Sequence, residues 1–147
     1  MSTLYYEDVE VGRRYSIAGR SVNEMDLALF AMVSGDTHPV HVNALYAAST
    51  EFGQRIAHGP FGIALAIGLF GRIADFADTA IAMTDIRDWS FRAPIYIGDT
   101  LNLEMTIVAK RLTRSNRGII DRHMQLLKQD GTVAQEGTSG LLIARRP

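Results

Sequence analysis

His58-Gly59-Pro60-Phe61-Gly62-Ile63-Ala64-Leu65-Ala66-Ile67-Gly68-Leu69-Phe70-Gly71 is the stretch on which the fold turns. Pro60 suits the first turn of a helix, where its missing N–H costs nothing. Beyond it, Ile63, Leu65, Ile67, Leu69, Phe70 and Ile73 leave almost no polar face until Arg72 and Asp75. A helix that is apolar all round is a buried one. Gly62, Gly68 and Gly71 lower helix propensity but permit close approach to a sheet. The run from Gly59 to Gly71 is too short and too glycine-rich to span a bilayer, so it reads as the central helix of a globular core.

The flanking segments say what that helix packs against. Leu101, Leu103, Met105 and Ile107 alternate with Asn102, Glu104 and Thr106, a period of two that predicts a strand. Ile95 to Thr100 reads as a turn around Gly98-Asp99, with Asp99 serving it. A further strand is expected from Gly118 to Lys128, then a tight hairpin at Asp130-Gly131, then a last strand from Val133 to Ile143. Towards the N-terminus, Arg14 to Gly19 reads as a short first strand. Ser21 opens a capping box with Glu24, ahead of a helix that carries Val22, Met25, Leu29 and Val33 on one face. Ser34-Gly35 ends that helix, and a second short one runs through Ala44, Ala47 and Ala48. Phe61, Phe70, Met83 and Trp89 read as core or pocket wall. The expected class is α+β, an antiparallel sheet wrapped around one long helix. No repeat or linker divides residues 1–147, which read as one domain.

Bulk composition narrows the functions. With 47% hydrophobic and 21% charged residues the chain has no signature of disorder. Lys+Arg 15 against Asp+Glu 16 gives a net charge of -1, poor support for a nucleic-acid partner. Lys110, Arg111, Arg114 and Arg117 form a small basic cluster, fit for a phosphorylated small molecule or simply a solvated hairpin end. The absence of cysteine excludes disulfides, thiolate chemistry and cysteine-ligated zinc. The acidic segment from Met1 to Asp8 lacks the regions of a signal peptide, so no membrane partner and a cytoplasmic protein are expected.

The chemistry concentrates in Ser34-Gly35-Asp36-Thr37-His38-Pro39-Val40-His41. Gly35 and Pro39 fix the local backbone, so Asp36 and His41 can face one point in space. A carboxylate and an imidazole sharing one water form an acid/base pair that works near neutral pH. Read alone, Asp36 is as well suited to a turn and His41 to a packed interface. The spacing Asp36-x-His38-x-x-His41, with His58 as a further ligand, also has the look of a metal site.

Within Ser-Gly-Asp-x-x-Pro-Val-His, the pair Asp36 and His41 resembles the signature of MaoC-like proteins, the (R)-specific enoyl-CoA hydratases of the single hot-dog fold. Ile56-Ala57-His58-Gly59 and Phe91-Arg92-Ala93-Pro94-Ile95-Tyr96-Ile97-Gly98-Asp99-Thr100 match that family in order and spacing, over roughly residues 10 to 145. The resemblance implies that Asp36 and His41 hold a water against the C2–C3 double bond of an enoyl thioester. It implies that the Gly59 N–H polarises the thioester carbonyl, a role that suits a helix N-terminus on physical grounds as well. It further implies an acyl-CoA substrate, no cofactor and no resident metal, and a homodimer or higher homo-oligomer. His38, His58, Phe61 and Arg92 are candidate substrate contacts, although His58 reads equally as a packed residue and Arg92 as a surface ion pair. Three departures stand out: His38 where family members commonly carry Asn, Ile67 where some carry Ser, and the bulk of Pro60-Phe61 after Gly59. Two rival readings use the same fold, an acyl-CoA thioesterase and a non-catalytic acyl-thioester-binding subunit.

Overall fold

Alternation of side chains builds the sheet, and the computed structural model describes it over residues 3–147. The reading made at Met1 and Ser2 lies outside the described residues. The strands are β1 (Arg14–Ser21), β2 (Ala80–Phe91), β3 (Thr100–Leu112), β4 (Gly118–Leu127) and β5 (Val133–Ile143). They form one antiparallel sheet in the order β1-β3-β4-β5-β2. In β3, Leu101, Leu103, Met105 and Ile107 are all buried, as the period of two requires. Met105 stands opposite Met124 of β4 on one side and Tyr15 of β1 on the other, so adjacent strands supply one continuous inner face. Turns fall where the punctuation put them: Gly98 and Gly131 take positive φ of 96° and 84°, and the Asp99 carboxylate accepts from the Tyr96 N–H at 2.8 Å.

Among the described residues four helices accompany the sheet: α1 (Glu24–Ser34), α2 (Pro39–Val42), α3 (Ala44–Ala48) and α4 (Gly59–Phe70), with single 3-10 turns at Tyr6–Asp8 and Ala74–Phe76. α4 lies against β1, β3 and β4. Phe61, Ala66, Leu69 and Phe70 of α4 join Leu101, Leu103, Met105, Met124, Leu126 and Leu141 of the sheet in one core. Arg122 is a charged residue buried against that core; its guanidinium lies 4.3 Å over the Phe70 ring and donates to Ser139 Oγ at 2.8 Å. Burial pushes it down to about 10, which still leaves it charged at neutral pH.

Four expectations need correction. The N-cap of α1 is Asn23, in a capping box with Asp26, because Ser21 is still paired in β1 and bonds Thr100 Oγ1 instead. Val22 precedes that helix, and Met25, Leu29 and Val33 form its exposed face; Leu27 and Ala31 are the buried pair. α4 is not covered all round, since Pro60, Ala64 and Gly68 face outward. β2 was missing from the sequence reading, and its Met83 is 47% exposed rather than core. The basic cluster sits at the β3–β4 hairpin, where Arg111, Arg114 and Arg117 are exposed and Lys110 donates to the Tyr6 and Val9 carbonyls. Among the described residues no helix is long and apolar enough to cross a membrane.

Candidate active site

The site begins where α1 stops. Gly35 takes a left-handed φ of 74°, a conformation that suits glycine, and its N–H bonds Ala31 O. The chain reverses, and Asp36 is held by its own neighbourhood: its N–H donates to Ser34 Oγ at 3.1 Å and its Oδ1 accepts from the His38 N–H at 3.1 Å. His38 then caps α2, its Nδ1 accepting from the Val40 N–H at 3.2 Å, with Pro39 at the first helical position. This single turn places His41 five residues after Asp36 but on the same side of the loop.

The tautomer of His41 follows from its partner. Its Nδ1 lies 2.7 Å from the Ile56 carbonyl, and a carbonyl can only accept, so Nδ1 carries the proton. The neutral ring therefore presents a lone pair at Nε2, which faces Asp36 Oδ2 at 3.6 Å. Two acceptors at that separation do not bond each other. A water placed between them donates one hydrogen to each and turns its own lone pairs outward, the orientation a nucleophile needs.

The charges agree with this. The His38 N–H and the neighbouring imidazoles hold the Asp36 carboxyl below its ordinary range, so it is ionised at neutral pH. Burial lowers His41, reinforced by the adjacent His58 and opposed by the Ile56 carbonyl and Asp36, so the imidazole is neutral. An anion and a free base thus stand side by side, the protonation states that a water-activating pair requires.

A cavity of about 350 Å³ opens beside the pair, lined among others by His41, Ile56, Gly59, Phe91, Arg92 and Gln135. Gly59 is the first residue of α4, where backbone N–H groups have no partner within the helix. A Cβ there would stand 2.9 Å from the Phe91 ring, so a larger residue would press on that ring at the cavity wall. One residue that sequence reasoning missed, Gln135, supports this point together with Trp89, which was expected as core or pocket wall. Gln135 of β5 donates from Nε2 to the Gly59 carbonyl at 3.0 Å and accepts at Oε1 from Trp89 Nε1 at 3.0 Å. A Cβ at Gly62 would run into that same amide.

The remaining candidates fall in different places. Arg92 lines the cavity and pairs with Glu136 at 3.2 Å. His38 is exposed and occupied with its cap. His58 is 1% exposed, donates from Nε2 to the Asp36 carbonyl at 2.9 Å and stacks on His41. Phe61 is buried and packs edge-on against Phe30. Asp36, His41 and His58 bring one ligand atom each within 4.8 Å. They do not suit a metal, because the His41 and His58 rings lie nearly parallel, 3.8 Å apart at 22°, so their in-plane lone pairs run side by side and do not converge. His38 stays outside that group.

Comparison with known proteins points the same way. A family model described as a MaoC like domain matches residues 8–124. A 3-hydroxybutyryl-CoA dehydratase of Methylorubrum extorquens is 34% identical over 108 residues, which are 73% of this chain and 66% of that protein. An (R)-specific enoyl-CoA hydratase of Rhodospirillum rubrum is 35% identical over 103 residues, 70% of this chain and 69% of the relative. The aligned stretch is thus about two thirds of the length of both curated relatives. Among solved structures, a MaoC-like dehydratase from Rhodospirillum rubrum superposes with a TM-score of 0.82 at 27% identity, covering 98% of this chain and 99% of that one.

Proposed function

The chain belongs to the MaoC-like domain family, and from that premise we propose that it is a hydro-lyase acting on acyl thioesters of coenzyme A. It adds water across the C2–C3 double bond of a 2-enoyl-CoA, or removes water from an (R)-3-hydroxyacyl-CoA. The observation that carries this reading is the free Nε2 of His41 facing the Asp36 carboxylate at 3.6 Å, on a cavity that also exposes the backbone of Gly59.

The chemistry balances with these groups alone. The water held by Asp36 and His41 adds its oxygen to C3, and the pair takes one of its protons. The C2–C3 electron pair moves onto the thioester as an enolate, whose oxygen is met by the Gly59 N–H at the positive end of α4. The proton held by the pair goes to C2 and restores the carbonyl, leaving the hydroxyl on C3. Gln135, itself held by Trp89, donates to the Gly59 carbonyl and so helps fix the residue whose N–H meets this charge. Arg92 at the cavity wall is placed to meet an anionic part of the CoA carrier, and the apolar wall formed by Phe52, Ile56 and Phe91 accepts the acyl chain. A second copy completes the assembly, because β2 ends the sheet with a twelve-residue edge that leads directly into Phe91 and Arg92.

The test follows the loss of conjugated enoyl-thioester absorbance with crotonyl-CoA and then longer chains. Wild type should bleach it. D36N and H41A should each lose at least about a hundredfold in kcat while unfolding at the wild-type temperature. Near-normal hydration by both variants would sink the proposal. Release of free CoA from a saturated acyl-CoA, with no bleaching, would transfer the site to the thioesterase reading.

A further inference from the structure

We propose that His58 is a positioning residue that binds the carboxylate, the imidazole and the oxyanion donor of the site into one rigid unit; the inference rests on the hydratase reading above. Two side-chain contacts and one backbone role meet in this residue. Its Nε2 lies 2.9 Å from the backbone carbonyl of Asp36, so Nε2 carries a proton and pins the peptide from which the carboxylate springs. Its ring lies flat on His41, with centroids 3.8 Å apart and planes inclined by 22°. Its own backbone is the N-cap of α4, so the peptide that joins it to Gly59 supplies the N–H aimed at the enolate oxygen.

A core residue chosen for packing would not look like this. His58 is 1% exposed and Phe30 packs against it with centroids 5.0 Å apart, a place in which phenylalanine would serve. Yet its Nδ1 is the one side-chain nitrogen or oxygen among the described residues that is buried without a hydrogen-bond partner. Burying an unsatisfied nitrogen costs stability that a phenylalanine would not. The two nitrogens thus differ in duty: Nε2 donates to the Asp36 carbonyl, while Nδ1 is turned into the interior without a partner. The contribution of His58 is to hold Asp36 and His41 at the separation that one water spans, and to keep bulk water off the inner face of the His41 ring.

Two substitutions separate those duties. H58F keeps a flat ring on His41 but offers no donor to the Asp36 carbonyl. H58Q keeps an N–H near the place of Nε2 but removes the ring. With crotonyl-CoA, H58F should lose about tenfold or more in kcat at unchanged KM and with no fall in unfolding temperature, the signature of a misplaced pair. H58Q should recover part of that rate, while the acid limb of its kcat/KM profile moves up in pH. The groups facing His41 are Asp36 from the loop after α1, His38 in the same turn, His58 at the N-cap of α4 and Arg92 across the cavity, and only one of them changes. The same shift should appear without any substrate, as an upward move of the His41 titration in NMR spectra of H58Q labelled at histidine. Wild-type kcat in H58F, or an unmoved His41 titration in H58Q, overturns the proposal. If wild-type protein hydrates no enoyl-CoA, the hydratase reading falls instead, and the titration alone decides whether His58 holds His41.

Discussion

His41 is defined by what each of its two nitrogens meets. The Ile56 carbonyl takes the Nδ1 proton and leaves Nε2 free, while burial makes a positive ring unfavourable. The sign of the pH dependence follows. Asp36 is held below its ordinary 3.8 and His41 below its ordinary 6.5, so Asp36 is an anion and His41 a free base at neutral pH and both remain so on moderate acidification. The kcat/KM profile, which reports the free enzyme, should stay flat down through the usual histidine range and fall only below it. Stability moves in the same direction: the unfolded chain takes up the His41 proton first, so folding is favoured in full above 6.5 and weakens as pH falls beneath that value. A pH–rate profile with its acid limb at or above 6.5 would contradict the geometry. That Asp36 and His41 come together was legible in the sequence, because only five positions separate them and Gly35 and Pro39 set the turn between α1 and α2 that joins them. Gln135 was not, because its bond to Gly59 joins residues 76 positions apart and nothing local marks it.

Elements were legible where one face is wet and the other dry. The alternation in β3, the hairpin at Asp130-Gly131 and the span of β5 carry that pattern plainly. β2 defeats it for a physical reason. Its pairing with β5 slips between Ala80 and Ala82, between Met83 and Asp85, and between Arg87 and Ser90, with Asp88 at φ 51°. Each slip resets the two-residue period, so no run long enough to recognise survives. α1 misled in the opposite way, because its apolar stripe of Met25, Leu29 and Val33 is real but points outward in the single chain. Gly62 was expected to let α4 approach the sheet, and the feature it accommodates is the Gln135 amide. G62A should therefore displace Gln135 from both Gly59 and Trp89, costing about 1–3 kcal/mol in denaturant unfolding and lowering kcat. Q135A in the same chain makes room for the new methyl group, so the double variant should be less destabilised than the sum of the singles. Strict additivity would show that the two positions do not compete for the same space.

At the scale of the whole molecule the sheet has two edges of different length. Among the described strands, β1 is eight residues long and pairs with β3 alone, while β2 runs for twelve, pairs with β5 alone and presents the longer free edge. Ile81, Met83, Ile86 and Phe91 are all exposed along it. A long apolar edge with free N–H and C=O groups is a template for another strand, and an isolated chain carrying one is prone to aggregate. A second copy of β2, running antiparallel across a two-fold axis, would satisfy both edges at once and continue the sheet from one copy into the next. The apolar stripe of α1 gives a further surface that a partner would cover. Light scattering after size exclusion should accordingly give the mass of a dimer or a larger even assembly. The double substitution I81K/M83K places like charges opposite one another across that axis and should raise the dissociation constant by at least about tenfold. Because β2 ends in Phe91 and Arg92 at the cavity, the dissociated form should lose kcat although Asp36 and His41 are untouched. A wild-type monomer with full activity would remove the second copy from the site, and the exposed edge would then need some other cover.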